Sequence, residues 1–165
     1  MQNHSLIRVI CIVTLALASV WVQTTAVAAD KATIAVIVAD DAPIKAMSLA
    51  ELKLIYWRKK TYWANGQRIH PVNLPSDNPL RLQFSNSVLG SLPNRQNDYW
   101  NGLYFHGTSP PHVVYSDEAA IRYAQETAGS IGYIDACKVD SRVKPIFWIM
   151  PNGETNNDSP NLNCD

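Results

Sequence analysis

Ala128-Gly129-Ser130-Ile131-Gly132-Tyr133 joins the end of a helix to the start of a strand, and this junction decides how the chain is built. Gly129 can close a helix in the left-handed conformation. Gly132 lets a neighbouring backbone or a ligand approach the strand closely. Upstream, Ser116 has the form of an N-cap with Asp117 and Glu118 in the first turn, and the helix should run to about Gln125. Val113-Val114-Tyr115 before it, Ser130 to Ile134 after it and Val143 to Ile149 read as strands.

The same alternation continues toward the N-terminus. Ile34-Ala35-Val36-Ile37-Val38 is a buried-strand pattern, and Arg68 to Leu74 reads as another strand after the Asn65-Gly66 turn. Ser48-Leu49-Ala50-Glu51 has the form of a capping box, in which the Ser48 hydroxyl accepts a backbone N–H while Glu51 reaches back. Leu49, Leu52, Ile55 and Tyr56 follow at helical spacing, so this helix runs to about Trp57. Pro75-Ser76-Asp77-Asn78-Pro79 is a helix start. Leu80, Phe84 and Val88 line one face, and Gly90 is the stop. Ser91-Leu92-Pro93 opens a further helix carrying Tyr99, Trp100, Leu103 and Tyr104. Helices alternating with short apolar strands predict an α/β fold with a mixed or mostly parallel sheet flanked by helices.

The N-terminus reads as a cleavable signal peptide over residues 1–29. Arg8 precedes an apolar run from Val9 to Val22, and Ala26-Val27-Ala28-Ala29 supplies the small residues of a cleavage site. Retention as an uncleaved anchor is the alternative, although a comfortable span needs about 20 apolar residues. Cleavage predicts export to the periplasm and no membrane span in the mature chain. A domain over residues 30–150 and an irregular tail over 151–165, rich in Asn, Asp, Pro, Ser and Gly, would remain. Loss of Arg8 leaves 13 of the 14 basic residues beside 14 acidic ones. So balanced a chain has no electrostatic case for nucleic acid. Cys137 and Cys164 survive cleavage and suggest a disulfide in an oxidising compartment, with free thiols or an intermolecular bridge as alternatives.

The start of the Pro79 helix is where a ligand would sit. A helix N-terminus offers free N–H groups and a partial positive charge to an oxyanion. Ser76, Asp77 and Asn78 stand there, and Arg81 is one turn in, able to reach back as a forked donor. Ordinary capping, with Arg81 on a solvated face, explains the same residues. Trp57, Trp63, Trp100 and Trp148 read as packing residues rather than a stacking platform.

Three stretches resemble the second half of phosphate ABC-transporter substrate-binding proteins of the PstS type. Leu49 to Tyr56 with Lys59-Lys60 and Trp63-Ala64-Asn65-Gly66 resembles the family's "LS-x-x-EL-x-x-IF-x-GK-x-x-x-W-x-x-G" segment. Ser76 to Phe84 stands at the place of its anion loop, and Ala128 to Tyr133 is similar to its "PGAIGY". The resemblance implies a type II periplasmic-binding-protein lobe that takes phosphate or a like oxyanion and needs no cofactor. There are departures. The family's Ser-Gly-Thr trio falls on Asn78-Pro79-Leu80, its arginine falls near Leu74, and its glycine after the first helix is Arg58. The chain is also about half the family's length, which leaves most of one lobe unaccounted for.

No Gly-x-Ser-x-Gly elbow, phosphate loop with lysine or cysteine–histidine pairing calls for an enzyme. His70, His106 and His112 lack the spacing of a metal site. Two functions therefore stay open. One is a solute-binding protein for a small oxyanion, working with an inner-membrane transporter. The other is a ligand-free lobe that contacts a membrane sensor or transporter, with pairing of two chains as a further option. A metal-dependent hydrolase, which would need zinc, is the third and weakest.

Overall fold

The computed structural model describes residues 31–164. The signal peptide expected over residues 1–29 lies outside them. Among the described residues, no helix is long and apolar enough to cross a membrane.

Six strands form one sheet in the order β3-β2-β4-β1-β5-β6. They are β1 (Ile34–Ala39), β2 (His70–Asn73), β3 (His112–Val113), β4 (Ser130–Asp135), β5 (Val143–Ile149) and β6 (Thr155–Asn156). β2 pairs parallel with both β3 and β4. β1 is antiparallel to β4 and β5, and β6 is antiparallel to β5. Four of the six strands therefore point the same way, and the fold is the mixed α/β sheet that the alternating pattern predicts. The helices are α1 (Leu49–Tyr56), α2 (Pro79–Phe84), α3 (Asn97–Tyr104) and α4 (Asp117–Glu126).

β1 and β4 are apolar along their length because they lie in the middle of the sheet, where both faces are covered. Ile34, Ile37, Ile131, Ile134, Ile146 and Ile149 are almost wholly buried there. Cover on one face includes α4, which packs Ala120, Ile121 and Ala124 against β4 and β1. Tyr56, Phe84 and Tyr133 form an aromatic cluster in which the Phe84 and Tyr133 rings stack 4.0 Å apart.

Several local expectations need correction. Ser48 caps α1 through the Glu51 N–H, but the Glu51 carboxylate does not reach back. It pairs instead with Lys60 at 2.5 Å, so the capping box is half formed. The helix expected from Ser91 is a 3₁₀ turn at Pro93–Arg95 followed by α3, with Gln96 between them. The helix begun at Pro79 continues from Ser85 to Leu89 as a π-helix, which closes on left-handed Gly90. The tail is not wholly irregular, since Thr155–Asn156 pairs with the end of β5. Arg58 itself takes the left-handed conformation, at φ +58°, where glycine would cost nothing.

Cys137 and Cys164 are joined by a disulfide that closes a loop of 27 residues in sequence separation. It fastens the tail, whose Leu162 packs on the core. By the chain-entropy model such a loop stabilises the fold by about 3–4 kcal/mol. Cys137→Ser is expected to lower the unfolding free energy by about that much in urea denaturation. Addition of a reductant should then change the wild type and leave the variant unaffected.

Candidate functional site

The candidate residues divide between two surroundings. Asn78 is the N-cap of α2, and its side-chain oxygen accepts from the N–H groups of Leu80 at 2.9 Å and Arg81 at 3.4 Å. Ser76 and Asp77 are exposed in the turn before it. The turn closes because Asn78 N–H donates to the Pro75 carbonyl at 3.1 Å. The free N–H groups of the helix start are thus partly taken by the protein's own amide.

Arg81 points elsewhere. It is 6% exposed, and its guanidinium lies among neutral acceptors at the carboxyl end of β2. One Nη donates to Asn73 Oδ1 and the other to Gln96 Oε1 at 3.4 Å. Tyr133 donates its hydroxyl to the same Asn73 oxygen at 3.2 Å and accepts the Leu74 N–H at 3.3 Å. Trp100 donates its indole N–H to Gln96 Oε1 at 3.2 Å, and Gln96 in turn donates to the Ser91 carbonyl at 2.7 Å. Burial raises the Tyr133 and Tyr56 hydroxyls above the ordinary tyrosine range, so both stay protonated donors. Among the described residues no carboxylate makes an ion pair with Arg81. Ser85, one turn further along, is fully buried with its hydroxyl oxygen lacking any partner.

Ser76, Asp77 and Arg81 therefore do not converge, and Asn78 meets Arg81 only through the backbone. Sequence reading missed Asn73 and Gln96, which hold the guanidinium in place. The available signals were an asparagine ending an apolar strand and a lone glutamine ahead of an aromatic helix, and neither is specific. A cleft of about 560 Å³ lies against α2, lined by Lys31, Asn78, Leu80, Gln83, Asn86 and Asn152 among others. It shares Asn78 with the candidate site but not Arg81.

The fold has parallels among solved structures. One is a Clostridium perfringens protein classed as a phosphate ABC transporter substrate-binding protein and solved with bound phosphate. It is 23% identical at a TM-score of 0.58, over 71% of this chain and 46% of its own. An ABC-type phosphate transport receptor from Vibrio cholerae is 20% identical at a TM-score of 0.57, over 71% of this chain and 47% of its own. The chain thus has the fold of part of a periplasmic binding protein and spans about half the length of these structures. No protein-family model matches the chain, and no curated protein matches it in sequence.

Proposed function

We propose that this chain is a periplasmic solute-binding-like protein that takes phosphate or another small oxyanion beside Arg81, in the manner of an ABC-transporter substrate-binding protein. The observation that carries this reading is a buried guanidinium with only neutral partners. A buried cation without a counter-ion is costly, and an oxyanion would offset that cost. An oxyanion would add full charge–charge attraction and a bidentate fork geometry that the neutral Asn73 and Gln96 amides do not offer, so it competes for the same donors. Ser76 and Asp77, exposed in the turn before α2, would reach such an anion only if that turn moved toward Arg81.

A second reading is a lobe that binds a membrane sensor or transporter and no solute. Two observations favour it. The Asn78, Asn73 and Gln96 amides already occupy the donors that an anion would use. Moreover, Tyr104, Phe105 and Tyr115 are 69%, 86% and 82% exposed, as aromatics at a protein contact would be before binding.

Calorimetric titration of thoroughly dialysed protein with phosphate and then sulfate separates the two readings. The oxyanion reading expects saturable binding that falls roughly 10-fold or more in Arg81→Ala, the scale of one charged hydrogen bond. Folded protein that gives no heat with either anion rejects it in favour of a protein partner.

A further inference from the structure

Two arginines and a histidine meet at the amino end of β2, the end away from Asn73 and Arg81. Arg68 and His70 are two residues apart in extended chain, so they leave on the same face, while Ile69 between them turns fully into the core. The Arg58 guanidinium arrives from the end of α1, and its Nη1 donates to the Ile69 carbonyl oxygen at 3.3 Å. Its Nε is buried and has no hydrogen-bond partner among the described residues. The ion pairs among the described residues are Lys60–Glu51, Arg142–Glu118 and Arg142–Asp140, so none of the three side chains is paired with a carboxylate. Arg68 is exposed and the other two are half-buried, so the group is open to solvent.

The backbone shows how Arg58 is brought there. Arg58 is the one non-glycine residue with positive φ among the described residues. The left-handed conformation costs such a residue roughly 1–2 kcal/mol. It is the left-handed close of α1, in which the Lys59 N–H donates to the Leu54 carbonyl at 2.8 Å. Here it delivers a guanidinium beside Arg68 and His70. Burial, and then Arg68 and Arg58, hold the His70 imidazole below its usual range, and burial and Arg68 lower Arg58. A negative charge between them would reverse that mutual repulsion.

We infer that Arg58, Arg68 and His70 form an anion site for a small tetrahedral oxyanion such as phosphate or sulfate, separate from Arg81. Arg58 Nη2 and the exposed Arg68 guanidinium are the donors, the unpaired Arg58 Nε lies just behind them, and His70 contributes a ring N–H. This site does not depend on the reading of Arg81 given above.

The test is a titration of the purified protein with inorganic phosphate, repeated with sulfate, following the His70 ring resonances by NMR. Arg58→Gly is the decisive variant, because glycine adopts φ +58° freely and the protein should stay folded. The expected result is a saturable His70 shift whose affinity falls at least ten-fold in Arg58→Gly and in Arg68→Gln, and which persists in Arg81→Ala. Three results would overturn the site. They are an unmoved His70 across the millimolar range, an unchanged curve in Arg58→Gly, and a His70 response lost only in Arg81→Ala. The last would leave the Arg81 reading standing alone.

Discussion

Gly129→Ala is expected to lower the unfolding free energy by about 3–5 kcal/mol, read as a fall in the urea midpoint at unchanged slope. Two effects act together. Gly129 has φ +81°, which costs an L-residue about 1–2 kcal/mol. An added Cβ would also run into the Arg68 carbonyl oxygen, with Gln67 Cγ only 3.0 Å away. The Gly129 side of that collision is unable to withdraw. The Gly129 carbonyl accepts the Trp63 indole N–H at 2.9 Å and the His70 N–H at 3.1 Å. Ser130 Oγ donates to the Ala124 carbonyl at 3.0 Å, which ties the next residue to the end of α4. Gly66→Ala is the control, because Gly66 has nearly the same φ, +82°, and open space where the Cβ would go. It should cost only the conformational part, about 1–2 kcal/mol. Equal losses in the two variants would show that strain, and not the collision with the Gln67–Arg68 backbone and side chain, sets the cost.

This junction was readable in the sequence because its signals are local. Gly129, Ser116 and Asn78 act on their own neighbours, and each does what its residue type predicts. The disulfide was readable for a similar reason, since the expected export leaves two cysteines few other uses. What the sequence concealed depends on distant partners. Arg81 was expected to reach back to the helix start, yet Asn73 and Gln96, 8 and 15 residues away, draw its guanidinium inward. Glu51 turns from Ser48 to Lys60 for the same kind of reason. A two-residue strand such as β6 has too few residues for any periodicity, so only its partner β5 makes it visible. Arg58 is a different case: its residue type gives no sign of a left-handed conformation, and only its place at the glycine of the resembled family hinted at one.

Phe84→Ala should destabilise the protein by about 3–5 kcal/mol, whereas Arg81→Met, three residues away on the same helix, should stay within about 1.5 kcal/mol of wild type. Phe84 is fully buried between Tyr133, stacked at 4.0 Å, and Tyr56 at 4.6 Å. Those two rings are unable to close the cavity, because each is tethered by its hydroxyl. Tyr56 donates to the Val72 carbonyl at 3.1 Å, and Tyr133 is held between Asn73 and Leu74. Moving either ring would break a buried hydrogen bond, so the void persists and its full cost is felt. Arg81 is buried to a similar degree but is not needed in the same way. If it is removed, Asn73 Oδ1 still accepts from Tyr133 and Gln96 Oε1 still accepts from Trp100, so neither oxygen is orphaned. Methionine fills much of the volume and removes the cost of a buried charge. A small loss in Arg81→Met beside a large one in Phe84→Ala would mean that the cation is not there to hold the fold together. That result would strengthen the case for an anion as its partner. A loss in Arg81→Met as large as in Phe84→Ala would make Arg81 a structural cation, and the oxyanion reading would lose the observation that carries it.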